Sequence, residues 1–110
     1  MKRATLRDLL VSTDGFEPDD SLYVEAGMPL NVDSALTVIE FDPDHRAGRK
    51  PHGTRYFLGI EQLRDAIEAA EMELGRRASI LERFRAVVHY SEHDAFADVD
   101  VLLGSDRSTN

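Results

Sequence analysis

At 110 residues and 12.3 kDa the chain has the length of one ordinary domain, and its 42% apolar content excludes wholesale disorder. The absence of Cys excludes a disulfide scaffold, a zinc–thiolate site and thiol catalysis. A formal net charge of −8, from 13 Lys+Arg against 21 Asp+Glu, argues against nucleic acid or anionic lipid as a direct ligand.

In chain order, Thr5 is placed to cap a short helix carrying Leu6, Leu9 and Leu10 on one side, ending near Ser12–Asp14. Residues 14–20 read as an acidic loop anchored by Phe16. Ser21–Ala26 and Ala35–Phe41 have the β-branched and aromatic content of strands, and they are expected to pair as neighbours. Residues 42–53 hold two Pro, two Gly and no large apolar side chain, which predicts a mobile loop. Arg55–Leu58 is a short aromatic strand. Ile60, Leu63, Ile67, Ala70 and Leu74 recur at helical spacing, so the pattern predicts a helix over 60–74 that stops at Gly75. Ser79 and Glu82 stand at capping-box spacing before an apolar face of Ile80, Leu81, Phe84, Val87 and Val88. That helix is expected to fray near His89–Ser91. The alternation of Val99 and Val101 with acids suggests a last strand within 95–103, followed by a disordered tail over 105–110.

Strands first and helices after imply an α+β fold. The expectation is a small, mostly antiparallel sheet of three or four strands with two or three helices packed on one face, in a single domain over 1–104. No apolar run approaches the ~18 residues of a membrane span, and no basic-then-apolar leader is visible, so a cytoplasmic location is expected.

The charge is unevenly distributed. From Asp8 through His45, 38 residues contain ten acids and no Lys or Arg. From Ala86 to Asp106 there are five acids and again no base. Between them lie Arg46, Arg49, Lys50 and Arg55. Such a surface steers toward a basic protein. Solubility alone is the plainer account of the acids, and solvated cations the plainer account of the basic loop. The sequence assigns that loop no role.

The sharpest chemical motif is His89-Tyr90-Ser91-Glu92-His93, which fits the H-x-x-E-H pattern of zinc proteases. On a helix the two imidazoles would share a face, with Glu92 as general base. Against it, only 17 residues remain to supply a third ligand, and the motif falls at an expected helix end. The reading is therefore of no metal site, with His89 and His93 as the sole metal candidates. Asp42-Pro43-Asp44 begins like a calcium loop but has Ala47 and Gly53 where the loop requires Gly and Glu. No phosphate-cradling P-loop or serine elbow occurs, and no cofactor is implied. Tyr23, Tyr56 and Tyr90 suit either an interface or a half-buried sheet or helix.

Four stretches taken in order, SLYVEA, VIEFDPD, RYFLGIEQLRDAIEAA and RFRAVVHYSEHDAFAD, resemble a small, uncharacterised, acidic bacterial domain family spanning about residues 20–98. Its members share an early strand, a D-P-D turn, a Y-F-L strand leading into a helix, and a terminal helix ending D-A-F-x-D. They usually carry Tyr or Asn where this chain has His89 and His93. The resemblance implies no reaction and no catalytic residues. In size and charge it is similar to immunity proteins and phage-encoded inhibitors.

The expected function is a non-catalytic, acidic protein-binding module that inhibits a basic partner, itself a nuclease or a nucleic-acid-binding complex. This covers a toxin immunity protein, an anti-CRISPR-like protein or another phage inhibitor. Asp14, Glu17, Asp19, Asp20, Asp42 and Asp44 are the candidate contacts. The alternatives are a small metal-dependent hydrolase using His89, Glu92 and His93, and a regulatory subunit that dimerises through its helices. The sequence fixes no oligomeric state.

Overall fold

The structure, a computed structural model, describes residues 2–40 and 53–104. The expected loop over 42–53, save for Gly53, and the expected tail over 105–110 lie outside those residues. The described residues fall into two compact units, one within residues 1–62 and one within 63–110. Together they hold a four-stranded antiparallel sheet and four helices, an α+β fold.

The first unit contains the sheet. Strands β1 (Lys2–Thr5), β2 (Ser21–Glu25), β3 (Ala35–Ile39) and β4 (Thr54–Gly59) lie in the order β1-β3-β2-β4, every neighbouring pair antiparallel. Alternation sets the buried face: Leu22 and Val24 of β2 and Leu36 and Val38 of β3 are buried, while the residues between them are partly exposed. In β4 the adjacent Phe57 and Leu58 are both buried. Their register explains this. Leu22 faces Leu58 and Tyr23 faces Tyr56, so Phe57 is the extra residue of a β-bulge.

The expected last strand is corrected. Residues Val99–Leu103 form a short helix, and the fourth strand is β1 at the other end of the chain. Val99 and Val101 satisfy a two-residue period, but Asp98 accepts from the Val101 N–H as an N-cap, and Gly104 closes the helix at φ +70°. β1 has little β character of its own. It is an edge strand held by its register with β3, from Lys2 opposite Val38 to Thr5 opposite Ala35. Thr5 ends β1 in extended conformation and from there caps α1 (Leu6–Val11), with Asp8 completing the box. This short helix buries Leu6, Leu9 and Leu10, as their spacing predicts.

The second unit takes most of α2 (Ile60–Leu74) together with α3 (Ile80–His93) and α4 (Val99–Leu103). Its core cluster is Ala70, Ala86, Ala97 and Leu102, with Leu74 and Val101 against it. α2 stops at Gly75, whose φ of +71° few other residues adopt. The expected capping box of α3 is present: Ser79 Oγ accepts from the Glu82 N–H, and Glu82 Oε1 accepts from the Ser79 N–H. The helix runs to His93 instead of fraying near His89–Ser91, because Asp94 takes the left-handed conformation and donates its N–H to the Tyr90 carbonyl.

The expected apolar face of α3 is also corrected. Leu81 is exposed, whereas Glu82 and Arg83 are buried. Glu82 forms a two-point pair with Arg76 at 2.9 and 2.8 Å. Arg83 bonds Glu71, whose carboxylate also accepts from the Ala78 N–H. These charge-assisted bonds fasten the turn between α2 and α3 and make burial of the charges tolerable. The Arg76 guanidinium and then the Ser79 N–H hold Glu82 at about 2, against an ordinary 4.5.

Because the folded form has the lower value, the Glu82 contribution is complete above about pH 4.5 and is lost as pH falls toward about 2. The melting temperature of the native chain is expected to fall more steeply across that window than that of Glu82→Gln, measured by circular dichroism. Parallel profiles would refute this assignment.

Candidate functional site

The acidic segment between α1 and β2 is a folded loop. Ser12 Oγ accepts from the Asp14 N–H, and the Thr13 carbonyl accepts from the Phe16 N–H. Pro18 stands at the second position of a turn closed by the Asp20 N–H donating to the Glu17 carbonyl at 3.0 Å. Asp20 returns the bond through its side chain, whose Oδ2 accepts from the Glu17 N–H at 2.9 Å. The same loop caps the next helix. The Asp20 carbonyl accepts from the Ile60 N–H at 2.9 Å, and the Pro18 carbonyl from the Glu61 N–H at 3.2 Å. Two donors that every helix N-terminus leaves open are thereby satisfied by the loop.

This construction separates the candidate contacts. Asp14, Glu17 and Asp19 are exposed, and none forms an ion pair among the described residues. Asp20, expected beside them on the surface, is 1% exposed, and its carboxylate is spent on the turn. It is a structural group and leaves the contact set. Asp42 and Asp44 lie outside the described residues, as do Arg46, Arg49 and Lys50. Arg55 is on β4, opposite Val24.

Lys2, which sequence reasoning passed over, comes to this loop through β1. Its ammonium donates to the Gly15 carbonyl at 3.3 Å, lies 5.3 Å from the centre of the Phe16 ring, and is 3.4 Å from Glu40. Gln62 was equally unforeseen: its Oε1 accepts from both the Tyr56 hydroxyl and the Gly59 N–H at 2.9 Å. Tyr56 in turn meets Tyr23 edge to face at 5.7 Å. Nothing in the local sequence marks Lys2, since the signal is the pairing of β1. Asp20 had a legible signal, the run Glu17-Pro18-Asp19-Asp20 at turn spacing.

The histidine motif places His89 and His93 on one face of α3, ring centres 4.5 Å apart, with Glu92 4.0 Å from the Nε2 atom of His93. Among the described residues no group of three His, Cys, Asp or Glu side chains converges to hold a metal ion. Among the described residues the pair has no third side chain of the kind a catalytic zinc site requires. Tyr90 packs its ring on Phe96 at 5.4 Å. No described helix is long and apolar enough to cross a membrane.

Asp20→Ala leaves the Glu17 N–H without its acceptor inside the loop. It is expected to destabilise the protein by about 2 kcal/mol in urea titration, with Asp20→Asn costing less because an acceptor oxygen remains. Equal stability of Asp20→Ala and the native chain would remove the structural role assigned here.

Neither curated proteins nor solved structures gave a match to the chain. A family described as Domain of unknown function (DUF7716) matches residues 3–99, which includes β1 from Arg3 on, the acidic loop and the histidine motif. On that coverage, nearly the whole chain, the protein belongs to this domain family.

Proposed function

We propose that this protein is a non-catalytic binding module that engages a basic partner through carboxylates presented on the loop between α1 and β2. The observation that supports this reading best is the loop's division of labour. Asp20 is buried and holds the turn, while Asp14, Glu17 and Asp19 face solvent. Carboxylates on a hydrogen-bonded turn lose little conformational freedom on binding, which favours affinity over the same charges on a slack chain. Between Asp8 and His45 the sequence holds ten acids and no base, and although Lys2 and Arg7 pair with Glu40 and Asp33 of that stretch, the excess of acid raises the local negative potential.

A cationic groove that normally receives phosphate is the complementary surface. A nuclease or a nucleic-acid-binding complex is the proposed partner class, with the protein acting as its inhibitor, in the manner of an immunity protein or a phage-encoded antagonist. Carboxylates would occupy the positions where phosphates otherwise sit, so binding and nucleic-acid access are mutually exclusive.

The test is a panel of basic nucleases titrated with the protein across ionic strength. Affinity for the true partner should fall steeply with added salt. The triple variant Asp14→Asn, Glu17→Gln and Asp19→Asn should bind at least about tenfold more weakly at low salt while melting at the native temperature. Binding indifferent to both salt and the triple substitution would end this reading.

A further inference from the structure

We infer a second docking element in the C-terminal unit, an apolar ridge fringed by carboxylates and built to receive a cationic amphipathic helix of the partner protein. This inference rests on the reading of the protein as a binding module, and it names a surface and a partner chemistry that the acidic loop does not supply.

The ridge is formed by α4 and the residues that lead into it. Val99 and Leu103 stand four residues apart, so they lie on one side of the helix, and both are exposed. Phe96 is 55% exposed and rests one part of its ring against Tyr90. A helix of five residues has almost no stability of its own. This one is secured at every available point. Asp98 caps its start, and Ala97 and Leu102 are buried together in the core cluster on either side of that cap. Gly104 ends it, and the Arg85 guanidinium donates to the Leu102 carbonyl at 3.1 Å. Arg85 lies so close to Gly104 that a Cβ there would meet it at 2.6 Å. The inward side of the helix is thus fixed by Leu102 and Val101, and the outward apolar side chains are held in place by the same fastening.

Charge selects the occupant. From Ala86 to Gly104 the sequence holds no Lys or Arg, the exposed Glu92, Asp94 and Asp98 adjoin Phe96 and Val99 in the chain, and the Arg85 guanidinium at the far end of the helix is engaged by the Leu102 carbonyl. A second copy of the chain would bring this fringe against itself, because a two-fold interface apposes each patch to its own image. Like charges so apposed are repelled. An anionic membrane is repelled by the same carboxylates. A helix with leucines on one face and lysines or arginines along its margins satisfies both the apolar groups and the carboxylates.

The experiment uses the full-length, 15N-labelled chain and a synthetic helical peptide of about 18 Leu and Lys residues with the leucines on one face. A scrambled peptide of identical composition serves as control. Amide shifts should concentrate on residues 90–103, and the scrambled peptide should bind at least about tenfold more weakly. Phe96→Ala with Leu103→Ser should weaken binding by a similar factor at all salt concentrations. Glu92→Gln with Asp94→Asn should mainly flatten the salt dependence. Circular dichroism and melting of each variant check that the fold is retained. The triple variant of the acidic loop should bind the peptide as the native chain does, so failure of the ridge and failure of the loop are read separately. Equal affinity for both peptides, shifts centred on residues 12–20, or a concentration-dependent dimer that buries the ridge would each overturn the inference.

Discussion

A buried carboxylate organises the first unit. Asp20 joins three elements at one residue. Its side chain closes the acidic turn on the Glu17 N–H, its carbonyl receives the Ile60 N–H at the start of α2, and its own position precedes the first residue of β2. A charged oxygen with so little exposure costs several kcal/mol of lost hydration unless it is bonded, and it is the backbone of the turn that bonds it. The acidic loop, the start of α2 and the entry to β2 therefore depend on a single geometry. Charges that face outward at Asp14, Glu17 and Asp19 are displayed as a consequence of the one that faces inward.

The same distinction runs through the molecule. Several acids of this chain cap helices or tie elements of the fold together. Asp8 completes the box at Thr5, Asp33 pairs with Arg7 at 2.9 Å, Glu71 and Glu82 bind the turn before α3, and Asp98 caps α4. The Arg7 guanidinium keeps the Asp33 carboxyl below its usual range, and the Ala78 N–H does so first for Glu71. The net charge of −8 therefore says less about a binding surface than the position of each acid in the fold.

What the sequence disclosed follows from the range of each interaction. α2 was legible to its last residue because five apolar positions repeat over fifteen residues and Gly75 ends them. The Ser79–Glu82 box was legible because both bonds are closed within three residues. β1 was not, because its four residues carry no strand pattern and acquire one only by pairing with β3, thirty or more residues away. α4 was misread because five residues are too few to separate a two-residue period from a helical one, and its caps decide the matter. The burial of Glu82 and Arg83 depends on Arg76 and Glu71 meeting them across a turn, which no local window contains. For the candidate site, composition located the acids but could not give their direction. Only the turn spacing around Pro18 hinted that Asp20 differs from Asp19.

The two surfaces proposed for binding meet different physical needs. Exposed carboxylates on the loop act over roughly the Debye length, about 8 Å at physiological ionic strength, and they chiefly raise the rate and select the sign of the partner. They contribute little once salt screens them, and carboxylates alone exclude no water. Apolar side chains such as Phe96, Val99 and Leu103 act only in contact, but the area they bury slows dissociation and is insensitive to salt. The proposed inhibition would need both: attraction strong enough to compete with nucleic acid for a cationic groove, and contact durable enough to persist at ionic strengths where the attraction is largely screened. A surface made of acids alone would meet only the first requirement. The fastening of so short a helix as α4 at both ends is the structural expense expected where exposed apolar groups must keep a fixed arrangement for the second.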